Sequence, residues 1–329
     1  MAVRPFVLVV ALGSATAHAA LAQQPAAACK DPALVGATLQ GGTACQLGFD
    51  TFNYMSPQYS LVSVAGNIEV GRADALGAFP HFRVALHVTG MSMALPAFKA
   101  SGINPGPAVS STVPTQGNDY LSFAADGALG LFGGFEVGGL KVGALDAYLS
   151  VNIAPTTSAA GYTATPSPKI YFGIGGRLGV LQEGKVIPAV GLSYVSRDLP
   201  TTTILGSDFF DNTVAVTNLN VKSHAWTITV GKHFSAVGFV LGGGQTSFSS
   251  SGTIAWSVSG QNPVGTLPTT SGSSTQSQYF GDVDFDLGTL QIALELGQVT
   301  GSELTTFNIF DPSTSTTRSY FSLAVTFGH

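Results

Sequence analysis

The sequence predicts an all-β chain that folds as a transmembrane antiparallel up-and-down β-barrel of about twelve strands. Three observations support this: apolar and polar residues alternate with period two, the chain carries very little charge, and its connections are alternately short and long. Charged residues make up 9% of the chain, against about 25% in an ordinary soluble domain. A soluble protein of this length needs a more charged surface, whereas a barrel in lipid does not.

The alternation is clearest at the C-terminal end, between Thr317 and Phe327. Alternate residues of a strand face opposite sides, so this segment has one apolar face and one small or polar face. A strand of about ten residues with these two faces is the repeating unit of a transmembrane barrel. The residues on the apolar face are Phe321, Leu323, Val325 and Phe327.

This ending resembles the C-terminal signal by which bacterial outer-membrane barrels are recognised for assembly. Those signals usually end on the aromatic residue, whereas Gly328 and His329 follow Phe327 here. Over nearly the whole mature chain the pattern resembles bacterial outer-membrane porin-like barrels, without pointing to a specific family. The resemblance implies an outer-membrane location, with membrane lipid and the barrel assembly machinery as partners, the latter through the C-terminal strand.

The N-terminal end has the pattern of an exported protein. Arg4 precedes a short apolar run, and small residues around Ala22 form a cleavage site. We therefore expect a signal peptide at residues 1–22, a periplasmic segment at residues 23–47 and the barrel at residues 48–329. No later stretch is long and apolar enough for a transmembrane helix. The formal net charge of −5 argues against nucleic acid as a partner.

Cys29 and Cys45 are the two cysteines of the chain. In an oxidising compartment they predict one disulfide that closes a short N-terminal loop. The alternative is a lipid anchor on Cys29, but the preceding residues 26–28 are all alanine and lack the apolar residue that starts a lipobox.

The strand count follows from the connections. Five short connections, expected in the periplasm, pair ten strands, and the C-terminal strand is the eleventh. The first of the ten, Tyr59–Val70, must then run towards the periplasm, so an upward strand is needed before it. Gln46–Tyr54 is the candidate, which gives about twelve strands. The long connections, rich in Ser, Thr, Gly and Pro, are expected outside the cell.

Aromatic residues recur near the start of each predicted downward strand. At one common height they would form an interfacial girdle, although some of the tyrosines fall on the inward face by parity, so not all of them can contact lipid. The alternative is the ordinary aromatic enrichment of strand ends in a soluble β-sandwich or barrel. The residues concerned are Tyr59, Tyr120, Tyr171, Trp226, Tyr279 and Tyr320.

The charged residues that the period-two alternation places on the inner faces of the predicted strands determine the chemistry of the lumen. They either line a narrow aqueous pore, where charge sets ion preference, or pair across the interior and close it. Tyr148 and Asn152 join them. The predicted pore-lining residues are Glu69, Arg83, Asp126, Asp146, Lys169, Arg177, Asp282, Asp284, Asp286 and Glu295.

No pattern in the chain predicts catalysis, a metal or a cofactor. The run Asp282–Gly288 fails as an EF-hand loop, because Leu287 and Ala293 stand where glycine and glutamate are required. A Ser-His hydrolase would have to use residues such as Ser193 or Ser223 with His224, but no nucleophile-elbow motif is present. We therefore expect no enzymatic activity.

The sequence thus predicts a channel for passive diffusion of small polar solutes or ions. Two alternatives stay open at this point. One is a non-conducting structural barrel whose long loops bind a partner, and the other is a membrane-embedded lipid-modifying enzyme.

Overall fold

The structure, a computed structural model, describes residues 24–64, 67–258, 264–301, 304–313 and 316–328, without the side chains of residues 63, 64 and 264. The predicted signal peptide lies outside the described residues. The helices are α1 (Pro32–Val35), α2 (Gly42–Val64) and α3 (Phe98–Ser101), with a 3-10 turn at Ala27–Lys30. The strands are β1 (Phe82–Pro96), β2 (Thr112–Phe132), β3 (Phe135–Val137), β4 (Leu140–Val142), β5 (Ala144–Ile153), β6 (Thr157–Ala159), β7 (Tyr162–Ser167), β8 (Ile170–Leu181), β9 (Ala189–Asp198), β10 (Thr201–Ser207), β11 (Thr213–Phe234), β12 (Val237–Ser257), β13 (Val264–Thr266), β14 (Thr270–Asp286), β15 (Leu290–Thr300), β16 (Ile309–Asp311) and β17 (Arg318–Gly328).

Ten of these strands form a closed antiparallel barrel, in the order β1, β2, β5, β8, β9, β11, β12, β14, β15 and β17. The ring closes between the first and last barrel strands, where Arg83 pairs with Gly328 and Met91 pairs with Tyr320. Closure leaves no unpaired sheet edge in the ring. The all-β antiparallel barrel predicted from the alternation is confirmed.

Each barrel strand places apolar side chains on the outside. The inner faces carry small or polar side chains together with large buried ones, such as Phe248 and Phe280, in the same cluster as α2. In β17, Phe321 and Leu323 are exposed while Tyr320 and Ser322 are buried. The same holds in β5 and β15, so the predicted two faces are correct. Exposed outward residues include Leu86, Phe123, Leu149, Phe172, Ile174, Leu192, Ile228, Leu241, Val283, Leu294 and Leu296.

The two ends of the barrel differ. Residues 133–143, 182–188, 235–236 and 287–289 connect strands at one end, which we call the short-turn end. Residues 97–111, 154–169, 199–212, 258–269 and 301–317 connect them at the other, the long-loop end. At the long-loop end β11 and β12 extend beyond the ring and pair with β10 and β13, while β6, β7 and β16 add short strands.

The prediction of about twelve strands is wrong, because the first two predicted strands are not strands. Gln46–Tyr54 and the first half of Tyr59–Val70 lie in helix α2, which runs inside the barrel. A helix surrounded by wall on every side has no polar stripe and can be apolar all round. Phe52, Tyr54 and Met55 are all buried, so α2 lacks the periodicity by which a surface helix is recognised.

Polar side chains of α2 are bonded to the wall and loops. Asp50 accepts hydrogen bonds from the backbone N–H groups of Phe307 and Asn308, each at 2.9 Å. Gln58 donates to the Ala94 carbonyl at 2.8 Å and accepts from its N–H at 2.9 Å. Gln276 of β14 donates to the Pro57 carbonyl inside the helix. These bonds offset the cost of burying polar groups and fix the helix in the lumen.

The N-terminal segment lies at the long-loop end, not beside the short turns where the sequence placed it. The Thr43 N–H donates to the Gly106 carbonyl at 3.0 Å, and Gly41 packs against the Trp256 ring near the end of β12. Cys29 and Cys45 are joined by a disulfide there. The boundary predicted at residue 48 falls within α2, so the barrel wall begins at β1. No helix among the described residues is long and apolar enough to cross a membrane.

Candidate functional site: the plugged lumen

Residues 67–81, the plug segment, continue the path of α2 through the short-turn half of the lumen to the start of β1. The wall beside this segment carries glycines where the two backbones come close. A Cβ atom on Gly191 would lie 2.5 Å from the Ala73 carbonyl oxygen, and one on Gly231 would lie 2.9 Å from Ala73 Cβ. Larger residues at these two wall positions would collide with the plug segment.

Arg177 of β8 is the central wall contact of the plug segment. Its Nη2 atom lies 2.9 Å from Asp146 Oδ2 and 3.3 Å from Glu69 Oε2. The guanidinium carbon lies 5.6 Å from the centre of the Tyr148 ring, a cation–π distance. Arg177 is 1% exposed, so its charge depends on these partners rather than on water. The arginine thereby joins two wall strands to the plug.

Two further contacts hold the same side of the plug segment. Glu69 also pairs with Arg83 of β1, with Oε2 and Nη1 3.3 Å apart. Both carboxylate oxygens of Asp146 accept a hydrogen bond from the Leu76 N–H at 3.1 Å. Asp146 therefore binds one wall arginine and one plug backbone group at once.

Carboxylates of β14 and β15 hold the opposite side of the plug segment. Asp282 accepts a hydrogen bond from the Gly71 N–H at 2.8 Å, and Glu295 accepts one from the Asn67 N–H at 3.2 Å. Asp286 pairs with Arg72 of the plug at 3.4 Å. The plug segment is thus bonded to the wall through its own backbone as well as through its charges.

A further charge network links β11, β14 and the connection at residues 182–188 at the short-turn end. His233 lies 3.4 Å from Asp284 and 2.7 Å from Glu183, and Lys232 lies 2.6 Å from Glu183. Burial would raise the pKa of Glu183, but hydrogen bonds from Lys232 and His233 outweigh it and hold that pKa below its ordinary value. The Lys232 ammonium therefore has a carboxylate partner at the end of its strand.

Most of the predicted pore-lining residues point inwards, but they face the plug or one another rather than an open pore. Glu69 lies on the plug segment and not on the wall, and Lys169 is exposed in the connection before β8. Arg83 and Asp286 are partly exposed at the short-turn end. Asp126 lies 2.6 Å from His87 of β1, a partner that the sequence did not indicate. The buried inward residues are Asp126, Asp146, Arg177, Asp282, Asp284 and Glu295.

Sequence reasoning missed the plug residues because it assigned them to a strand and a short turn. Asn67 and Leu76 contribute only backbone N–H groups, and backbone groups have no sequence signature.

Of the six aromatic residues predicted at one height, two face lipid. Tyr120, Tyr171 and Tyr320 are buried inside the barrel. Tyr59 lies on α2, where its hydroxyl is 3.0 Å from the Tyr162 hydroxyl. Tyr279 and Trp226 are exposed on the outer face. Whether an aromatic side chain on a strand faces lipid or the lumen is therefore decided by the period-two alternation and not by its height on the strand.

The candidate hydrolase residues are not assembled. Ser223 is buried on the inner face of β11, while the neighbouring His224 lies on the outer face and bonds the Tyr194 hydroxyl at 3.0 Å. Ser193 is buried on the inner face of β9. Within the described ranges, no three His, Cys, Asp or Glu side chains are arranged to hold a metal ion.

One long connection presents two aromatic rings to solvent. Phe209 and Phe210 are 74% and 73% exposed. Asp208 fixes the connection by accepting hydrogen bonds from Ile103, Phe210 and Asn212. Burial would raise the pKa of Asp208, but the Asn212 side chain and the three backbone N–H groups together lower it. The carboxylate is therefore ionised at neutral pH and keeps this loop ordered.

A closed ring of strands with a continuous apolar exterior decides the kind of protein, because exposed apolar surface of this extent is matched by lipid and not by water. The fold is that of an outer-membrane β-barrel. No protein-family model matches the chain, and a comparison with curated proteins finds no match.

Solved structures of outer-membrane barrels are similar to the chain at low identity. The translocator domain of the autotransporter NalP from Neisseria meningitidis is 9% identical with a TM-score of 0.42, covering 82% of this chain and 92% of that one. The Pseudomonas putida toluene transporter TodX is 9% identical with a TM-score of 0.35, covering 79% and 96%. The NanC porin is 10% identical with a TM-score of 0.29, covering 74% and 98%. The likeness concerns the barrel fold alone.

Proposed function

We propose that this protein is an outer-membrane channel for small polar solutes or ions, closed in the described state by α2 and the plug segment. The observation that carries the proposal is that α2 and the plug segment together fill the lumen from the long-loop end to the short-turn end. The proposal includes export through cleavage of residues 1–22, assembly through the C-terminal strand, and short turns on the periplasmic side.

The two halves of the filling differ in how they are held. Helix α2 packs large apolar side chains, among them Phe52 and Met55, into the main core. The plug segment makes only small apolar clusters, such as Val70 with Ala293 and Ala324. Moving α2 into water would expose this apolar core, at a free-energy cost of about 25 cal/mol per Å² of apolar surface. We therefore infer that α2 is the more firmly held half.

Moving the plug segment into water costs less free energy than moving α2. Its charged groups gain hydration when they leave the wall, which offsets much of the attraction lost between the ion pairs. Its backbone N–H groups exchange carboxylate partners for water. Displacement of the plug segment would open the short-turn half of the lumen, which is lined by Asp146, Arg177, Asp282 and Glu295. Helix α2 would remain as the barrier in the long-loop half, so each conducting event also requires a shift of α2.

Planar-bilayer recording of the refolded protein tests this proposal. We expect long closed periods with brief, discrete current steps, because the plug segment leaves its site only transiently. A gel-mobility shift on boiling in SDS confirms beforehand that the barrel is folded. A folded barrel that never produces a discrete step at any voltage would contradict the channel proposal.

The second candidate function is a non-conducting barrel that binds a partner through its long loops. The exposed pair Phe209 and Phe210 on an ordered loop favours it. A silent bilayer recording would favour this candidate. We propose no catalytic role, since Ser223 and His224 lie on opposite faces of β11.

A further inference from the structure

A cavity of about 360 Å³ lies at the short-turn end between the plug segment and the wall formed by β15, β17 and β1. It is open to solvent and has room for about ten water molecules. Residues that line it are Arg72, Arg83, Asp286, Thr289, Gln291 and Thr326.

Arg83 has unused donors at this cavity. Its Nη1 atom pairs with Glu69 at 3.3 Å, and its side chain is 15% exposed. Over residues 67–258, 264–301, 304–313 and 316–328, Glu69 is the one hydrogen-bonded partner of this guanidinium. A guanidinium carries five N–H donors, so most donors of Arg83 are free for a ligand.

Arg72 is held loosely on the other side of the cavity. Its contacts with Asp74, Asp286 and Gln291 are 3.5, 3.4 and 3.4 Å long. Strong charge-assisted hydrogen bonds are about 2.7–2.9 Å long. A better acceptor placed in the cavity can therefore compete for this guanidinium.

The charges that line the cavity favour an anion. Two arginines face one carboxylate, Asp286, among the lining residues. Glu69 and Asp74 pair with the arginines but do not line the cavity. The hydroxyls of Thr289 and Thr326 add neutral donors at the rim.

We propose that this cavity binds a small oxyanion, a carboxylate or a phosphate, between the guanidiniums of Arg72 and Arg83. The planar fork of arginine matches both anions in a bidentate way. The inference goes beyond the channel proposal, because the cavity opens to solvent with the plug segment in place.

Titration calorimetry on the refolded protein in detergent tests the site, with sodium phosphate and sodium acetate as separate probes at constant ionic strength. We expect the wild type to bind at least one probe, and R83Q to bind it about tenfold more weakly, a loss of about 1.4 kcal/mol. The matched control is K141Q, which removes one exposed positive charge from the hairpin at the same end and leaves the cavity intact.

The variant R83K separates the site from plug stability, since it keeps a positive charge for Glu69 but loses the fork. Whichever probe the wild type binds, we expect R83K to bind it more weakly than the wild type does, while its gel-mobility shift is unchanged. The comparison of the two probes identifies which oxyanion the cavity prefers. Absence of heat with both probes in the wild type, or equal affinity of the wild type and R83Q, would overturn the proposal, whatever the bilayer recordings show.

Discussion

Replacing Gly191 or Gly231 with valine is expected to raise the fraction of time that the channel conducts, because it displaces one of the two lumen barriers while α2 remains the other. The added side chain would collide with Ala73, whose carbonyl oxygen and Cβ lie within 3 Å of the two new Cβ positions, and at Gly231 it would also meet the Val240 side chain of β12 at 2.9 Å. Overpacking of this kind costs about 1–3 kcal/mol, and the plug segment relieves it by leaving its site. Because about 1.4 kcal/mol is tenfold in an equilibrium, the ratio of open to closed channels should rise about tenfold to a hundredfold.

The matched control is Gly127→Val. Gly127 is also a wall glycine, but the nearest atom to its Cβ position is the Leu149 carbonyl oxygen at 3.9 Å. Valine favours strands, so all three variants should assemble and keep the gel-mobility shift. Time-averaged current in planar bilayers is the measurement. Equal currents from Gly191→Val, Gly127→Val and the wild type would show that Ala73 does not close the channel.

Arg177→Gln is expected to cause the largest loss of stability of any single substitution in the lumen. It leaves the Asp146 carboxylate without a buried cation and Glu69 with Arg83 alone, and breaking a buried pair in this way costs about 3–5 kcal/mol. The urea concentration at the midpoint of unfolding in detergent micelles should fall accordingly. Adding Asp146→Asn should restore part of the loss, because it removes the uncompensated charge.

Lys222→Gln is the control for this prediction. Lys222 pairs with Asp198 at 3.5 Å, and both side chains are more than half exposed. An exposed pair contributes about 0–1 kcal/mol, so its loss should hardly move the unfolding midpoint. Similar shifts for Arg177→Gln and Lys222→Gln would mean that Arg177 is as well hydrated as a surface residue, contrary to its burial.

The barrel wall was predictable because lipid imposes a strict rule on it. Each strand must be apolar outside, so period-two alternation identifies the strand and its two faces together. The residues Asp146, Arg177, Asp282 and Glu295 could be assigned to the interior by parity alone.

Helix α2 was not predictable from the same rule. The wall surrounds it, so Phe52 and Met55 are buried together with Asp50 on another face, and no periodic stripe results. The spacing of Phe49, Phe52 and Tyr54 therefore resembled a weak strand.

The partners of the interior charges were also beyond the sequence. Gly71, Asn67 and Leu76 bind the wall through backbone N–H groups, which every residue except proline has. Which carboxylate meets which backbone group depends on where the plug segment threads, and that depends in turn on α2. The alternation identifies the wall residue of each contact. The plug residue that meets it can be identified only from the path that the plug segment takes through the lumen.

The most direct test of the account replaces residues 67–77 by a glycine-serine linker of equal length and measures single-channel current. The linker keeps α2, the barrel wall and the chain length, but removes the charges and the packed side chains of the plug segment. We predict a folded barrel, shown by the gel-mobility shift, that opens far more often than the wild type, because α2 then remains as the one lumen barrier among the described residues. A folded linker variant as silent as the wild type would contradict the claim that the plug segment closes this channel.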